Sequence, residues 1–331
     1  MSVDQTKSPP DAARALWTVA PGRAELRPEP VPAPGPDEVA VRALWSGLSR
    51  GTERLMFDGR VPECEWERMR GPHMGGAFPY PVKYGYCAVG EITGGAPDLT
   101  GRLAFVLHPH QEAFVAQACM AAALPDGLPP RRAILSANME TALNVIWDSG
   151  ASAGDRIAIV GAGAVGLLVA FLAARLPGAE VLVVDHATDR RPIAEGFGAR
   201  FATPDAAQGE ADVVIHTSAT AAGLSTALAL GGHQAAIVEA SWHGDKDVPA
   251  PLGRAFHSRR LRLISSQVGG IPPLRAPRWT HARRLRKAME LLRDDRLDAL
   301  ITEEIAFADL PAAMPRLLGP DAPGLVTAIR Y

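Results

Sequence analysis

An aliphatic run that ends at glycines spaced for a tight turn leaves a chain few folds to choose from. Residues 157–166 read Ile-Ala-Ile-Val-Gly-Ala-Gly-Ala-Val-Gly. The run predicts a buried parallel strand, and Ala164 to Arg175 predicts the helix that follows it. In that setting each glycine has a physical task. Gly161 makes the turn, Gly163 lets a pyrophosphate approach the backbone, and Gly166 lets helix and strand pack closely. The N–H groups at Ala164, Val165 and Gly166, with the positive end of the helix dipole, would face the phosphates. A second apolar run, Val181 to Val184, ends in Asp185, about 20 residues beyond the last glycine, where a carboxylate grips the adenosine ribose. Strand, glycines, helix, strand and acid in register predict a dinucleotide-binding α/β unit with a doubly wound parallel sheet.

The rest of the chain changes texture twice. Prolines at 28, 30, 32, 34 and 36 force an extended or turning segment rather than a helix or central strand. Val39 to Leu44 alternates like a strand, and residues 46–83 suggest loops with one short helix. Strand-like runs return at Ala88–Ile92, Leu103–Leu107 and Ala113–Ala116, with turn signals at Gly94-Gly95 and Pro97-Asp98. From Arg131 a helix-like stretch (Ala133–Asp148) leads into strand-like runs at 157–160, 181–184, 212–215, 235–239 and 261–264. Most of these are separated by Ala/Leu-rich helices, the mark of a βαβ series. Loops, a helix near 281–293 and a last strand at Leu325–Ile329 close the chain. The expected division is a β-rich domain (1–132), a dinucleotide-binding domain (133–266) and a return segment (267–331) completing the first.

Composition excludes several classes. At 331 residues the chain is long enough for two domains. A net charge of −2 gives no general attraction to nucleic acid or acidic membranes. The basic residues around Arg283, Arg284, Arg286 and Lys287 lack the interleaved aromatics of a nucleic-acid surface and suggest a solvated helix face. Cys64, Cys87 and Cys119 are odd in number and lack metal-ligand spacing, which suits a reducing cytoplasm. The first ten residues are polar, and no apolar stretch reaches the ~20 residues of a membrane span. A cytoplasmic protein with a small-molecule substrate is expected.

A β-rich first part, a central nucleotide unit and a C-terminal return resemble the medium-chain dehydrogenase/reductase superfamily over nearly the whole chain. The resemblance implies a GroES-like catalytic domain joined to the Rossmann unit, and a homodimer. In its zinc-dependent alcohol dehydrogenases, catalytic zinc is held by a Cys in a G-x-C-x-x-D stretch, the His of a G-H-E stretch, and a Cys four residues before a Thr at the nicotinamide. The matching positions here are Ser49 (in Gly47-Leu48-Ser49-Arg50-Gly51-Thr52), Tyr86 (in Gly85-Tyr86-Cys87) and Ala137, four before Thr141. None is the thiolate or imidazole that zinc requires, and the four-cysteine structural-zinc lobe is missing. The resemblance therefore implies a zinc-free member with no metal ligands. The stretches Ser46–Glu53, Lys83–Tyr86 and Val89–Glu91 are similar to a branch that includes bacteriochlorophyllide (hydroxyethyl) dehydrogenases. Pro62–Phe78 and His108-Pro109-His110 have no counterpart carried over from that branch.

Candidate residues follow. Arg50 stands where the superfamily places a basic residue near the cofactor pyrophosphate, and Thr141 stands at the nicotinamide. The charge of Asp185 would repel a 2′-phosphate and favours NAD over NADP, although Arg190 and Arg191 could accommodate that phosphate in a different loop geometry. Without zinc, a side chain must move the hydroxyl proton. Tyr86 is the first candidate, with His108 and His110 as imidazoles titrating near neutrality, and Glu53 as a carboxylate relay. Glu140 could relay a proton or pair with an arginine. Ser49, in the metal's former place, and Trp242 and His243, past the 235–239 run, are candidate substrate contacts. The expected activity is zinc-independent, NAD-linked interconversion of a secondary alcohol and a ketone. Two alternatives stay open: NADPH-dependent reduction of a C=C bond conjugated to a carbonyl, and dinucleotide binding without turnover.

Overall fold

The computed structural model describes residues 12–320 and 322–331; the polar opening ten residues lie outside them. Packing divides the chain into two units, one running to Ala137 and resuming at Met289–Tyr331, the other Asn138–Ala288. These limits differ from the expected 132/133 and 266/267. Residues 267–288 pack within the second unit because the Arg284 side chain is buried there. Its guanidinium donates to Glu140 Oε1 at 3.0 Å, to Asn144 Oδ1 and to the Val268 carbonyl. Glu140 is thus the partner of an arginine, and burial raises its carboxyl above the ordinary range even so.

In the second unit all six strands are parallel. Across the sheet they run Arg200–Ala202, Glu180–Val184, Arg156–Val160, Ala211–His216, Gly231–Glu239 and Arg262–Ser265. Numbered along the chain, this order is 3-2-1-4-5-6, the doubly wound arrangement whose ligand crevice opens between strands 1 and 4 at their carboxyl ends. Ile157, Ile159, Val183, Val214 and Ile237 are at most 1% exposed, as expected of strands covered on both faces. The helix Ala164–Ala173 is buried from Gly166 onward, which explains its lack of a polar face. The short strand Arg200–Ala202 escaped the sequence reading, since three residues carry too little periodicity to register.

In the first unit the long strand Glu38–Leu48 lies beside Val326–Arg330 and Ala88–Gly95, in a sheet extended by Ile301–Ala306 on one side and Leu103–Val106 on the other. Ala113–Gln117 also pairs with Glu38–Leu48. A second, smaller sheet begins with the hairpin Ala12–Ala20 and Arg23–Pro30. Pro28 and Pro30 are accommodated because their strand is at the sheet's edge. The short helix expected in 46–83 is Arg50–Phe57.

Candidate active site

The glycine turn behaves as its spacing predicts. Gly161 has φ +114°, and a Cβ there would stand 2.7 Å from Thr217 Oγ1 and 2.8 Å from the Ser218 nitrogen. A Cβ on Gly166 would run into the Gly161 carbonyl oxygen. Gly163 is the opposite case: it is exposed, and a Cβ there meets nothing within 4 Å. Two glycines therefore serve packing, and the third keeps a space open beside the first N–H groups of the Ala164–Ala173 helix. That cradle fits a dinucleotide pyrophosphate.

Asp185 follows the Glu180–Val184 strand, where its Oδ2 accepts from the Ala162 N–H (2.6 Å) and its Oδ1 from the Ala187 N–H (2.8 Å). These bonds orient the carboxylate at the glycine turn and leave each oxygen a lone pair for a hydroxyl. Arg190 is half-buried with Nε 3.6 Å from the Asp189 carboxylate, and Thr141 is half-buried on the helix Ser136–Ser149.

In the first unit the proton-moving candidates separate. Ser49 precedes the helix Arg50–Phe57 in extended backbone, and its N–H donates to Glu53 Oε1 at 2.8 Å. This return bond turns the buried Glu53 back toward the start of its helix. Glu53 Oε2 lies 2.9 Å from His110 Nε2, His110 Nδ1 lies 2.8 Å from Ser46 Oγ, and Ser46 Oγ lies 2.9 Å from the Tyr331 hydroxyl. Glu53, His110 and Ser46 are at most 4% exposed, and a fully satisfied buried network of this kind holds its members in fixed orientations. Tyr86 lies near the Ser49 side chain, with the Tyr84 ring edge-on at 6.1 Å. Burial pushes its phenol well above the ordinary value, and the nearby Cys87 and Glu53 add to the rise.

His108 does not join this group. Its ring stacks on Phe114 at 3.6 Å, lies 5.0 Å from the His73 ring, and its Nδ1 contacts the Pro109 carbonyl at 2.9 Å. Burial holds it well below the ordinary histidine range, which corrects the expectation of an imidazole titrating near neutrality there. Arg50 donates to the carbonyls of Ala322 (2.9 Å), Gly324 (2.7 Å) and Pro323, so binding a pyrophosphate would require exchanging these bonds. Cys87 is buried and its thiol raised by desolvation, while Cys64 and Cys119 are exposed and free.

The positions matched to the superfamily's catalytic zinc do not fit that ion. Ser49 offers a hydroxyl and Tyr86 a phenol that burial keeps protonated where zinc needs thiolate or imidazole, and the Ala137 methyl offers no lone pair.

In the second unit the structure assembles a group that the sequence reading missed in part. His216 Nδ1 lies 2.6 Å from Glu239 Oε2, and His243 Nε2 lies 3.5 Å from the same oxygen. Of these, only His243 was singled out from sequence, because His216 and Glu239 meet only through the register of two parallel strand ends. Trp242 is half-buried in the same loop. Among the described residues no helix is long and apolar enough to cross a membrane.

No protein-family model matches the chain. D-guloside 3-dehydrogenase of Escherichia coli (strain K12) is 27% identical over 311 residues, 83% of this chain and 87% of that protein. The 2-desacetyl-2-hydroxyethyl bacteriochlorophyllide A dehydrogenase of Cereibacter sphaeroides is 38% identical over 65 residues, only 20% of this chain and 17% of that one. Among solved structures, a candidate zinc-binding dehydrogenase from Sinorhizobium meliloti 1021 bound to NADP superposes with a TM-score of 0.76 at 19% identity, covering 97% of this chain and 99% of the other. An alcohol dehydrogenase (rspB) from E. coli CFT073 complexed with NADH superposes with a TM-score of 0.77 at 16% identity, covering 97% and 100%. The chain thus has the Rossmann plus GroES-like fold of medium-chain dehydrogenases.

Proposed function

We propose that the protein is a nicotinamide-dependent oxidoreductase that interconverts a secondary alcohol and a ketone, with no zinc ion at the superfamily's catalytic position and with NAD as the preferred cofactor. The observation that carries this reading is that Ser49 and Tyr86 occupy the positions where zinc ligands would stand, backed by the buried Glu53–His110–Ser46 network. The relatives that match most of the chain are dehydrogenases of a sugar derivative, and an alcohol–ketone substrate pair is the chemistry they have in common with the proposal.

The bound nicotinamide would supply or accept the hydride. The chain's own task is then to place the substrate oxygen and exchange its proton. Tyr86, kept protonated by burial, donates its proton to the carbonyl oxygen in ketone reduction and is left as a phenolate, which takes its next proton from solvent. Alcohol oxidation is the reverse and starts from that phenolate, after solvent has removed the proton. Ser49 stands beside the phenol. No side-chain path runs from Ser49 to Glu53, because the bond between them uses a backbone N–H. Glu53 and His110 therefore act by positioning Ser49 and by the carboxylate's charge, which disfavours Tyr86 ionisation. The Asp185 carboxylate takes the ribose hydroxyls of NAD and repels a 2′-phosphate.

Replacing Tyr86 with Phe removes only the hydroxyl. The expected result is a fall in ketone reduction of about 10²–10⁴-fold, with NADH affinity unchanged when followed by tryptophan fluorescence quenching. Unaltered turnover would remove Tyr86 from the reaction. Chelation decides the zinc question at the Ser49/Tyr86/Ala137 position: activity retained after exhaustive chelation is the expected outcome, whatever metal the protein holds elsewhere. Tighter binding of NADPH than NADH would overturn the role of Asp185 and favour C=C reduction; binding of neither would end the enzyme reading.

A further inference from the structure

We propose that His216, Glu239 and His243 form a binding site for one divalent cation of borderline softness, best matched by Zn²⁺, on the nucleotide-binding unit. None of these three residues is among those matched to the superfamily's catalytic zinc, and the site does not depend on the proposed alcohol–ketone chemistry.

Three observations converge. First, one nitrogen from each histidine and one carboxylate oxygen all lie within 4.8 Å of one another. Two imidazoles and a carboxylate are a ligand set zinc accepts, leaving a fourth position for water. Second, the surrounding hydrogen bonds are those that orient metal ligands. His216 uses its other nitrogen, Nε2, on Ser218 Oγ at 2.7 Å, and Glu239 uses its other oxygen, Oε1, to accept the Ser241 N–H at 2.8 Å. A ligating histidine almost always has such a partner on its far nitrogen, and ligating carboxylates are likewise hydrogen-bonded. Third, protein groups leave His243 short of partners. Its Nε2 has only the 3.5 Å approach to Glu239, so a cation bonded there displaces no close protein hydrogen bond. Its Nδ1 is buried with no partner among the described residues, so His243 lacks the outer bond that His216 has.

The fold explains why the donors meet. His216 and Glu239 end adjacent parallel strands and are paired in register, so their side chains emerge together at the carboxyl edge of the sheet. His243 follows four residues after Glu239, once the loop has turned. His216 is fully buried, and the side chains of Glu239 and His243 are 17% and 16% exposed. Bonds of about 2.1 Å at tetrahedral angles put neighbouring donors roughly 3.3 Å apart. The Glu239–His243 distance already suits this. The 2.6 Å His216–Glu239 hydrogen bond would open by under 1 Å as its proton moves from Nδ1 to Nε2 and Ser218 becomes the acceptor.

The test uses full-length protein stripped with a strong chelator and titrated with Co²⁺, then with Zn²⁺ in competition. One Co²⁺ per chain is expected, with the intense visible ligand-field bands of a four- or five-coordinate ion, displaced by Zn²⁺. His243→Ala and Glu239→Gln should each weaken that binding by at least about tenfold, with circular dichroism reporting that both remain folded. X-ray absorption on zinc-loaded wild type needs no variant: a nitrogen and oxygen shell with imidazole scattering supports the site. A shell containing sulfur, or cobalt uptake equal in wild type and His243→Ala, overturns it and leaves a hydrogen-bonded Glu–His–Ser string.

Discussion

His108 and His110 stand two residues apart and looked equivalent as proton carriers, yet the fold gives them different chemistry. His110 meets Glu53 and Ser46, whereas His108 lies flat on Phe114. Spacing along the chain carries no information on which ring finds a carboxylate, because Glu53 arrives from a helix 57 positions away. The buried neutral His108 also sets a pH dependence. Its folded value lies well below the ordinary 6.5, so below that pH the unfolded chain takes up a proton that the native state refuses. Stability is therefore present above about pH 6.5 and lost as pH falls, with a slope of up to about 1.4 kcal/mol per pH unit from this group. Denaturant unfolding between pH 7 and pH 5 should show a shallower decline in His108→Phe than in wild type; equal slopes would assign the acid sensitivity elsewhere.

At the scale of the element, the glycine turn and the helix after it were legible because their function depends on local backbone shape. Gly161 and Gly166 are required by contacts within the turn and with Thr217, and Gly163 by the absence of any. The pair Gly163→Ala and Gly166→Ala therefore separates binding from folding. Gly166→Ala should lower stability by about 1–3 kcal/mol through overpacking, seen as an earlier thermal transition. Gly163→Ala should leave that transition in place while weakening dinucleotide binding about tenfold, or ~1.4 kcal/mol. Unchanged affinity in Gly163→Ala would mean that the pyrophosphate does not approach there. The helix Arg50–Phe57 was foreseen only as one short helix somewhere in 46–83. Its start is marked by the Glu53 side chain, which accepts the N–H of Ser49, a bond between side chain and backbone that hydrophobic periodicity does not register.

For the whole molecule, the decisive feature is that the first unit is made from both ends of the chain. Val326–Arg330 is inserted between Glu38–Leu48 and Ile301–Ala306, and Tyr331 bonds Ser46. Removing residues 326–331 would take out an interior strand and expose both neighbours' ladders. The first unit is expected not to fold, while limited proteolysis of the truncated chain should still yield a protected fragment near residues 138–288. Full activity after that truncation would contradict the role assigned to the closing strand. Such long-range pairing also predicts slow folding relative to chains of local contacts.

The sequence by itself determined the doubly wound unit, its glycine turn and the place of Asp185 at a strand end, because each is a property of neighbours in the chain. Only the tertiary structure decided which polar side chains meet. It joined Glu53 to His110 and Ser46, gave Arg50 to the carbonyls of residues 322–324, buried Arg284 against Glu140, and brought His216 to Glu239. Those meetings depend on strand register and on contacts between segments distant in sequence. Hydrophobic patterning sets which faces are buried; it does not say which buried polar group will face which.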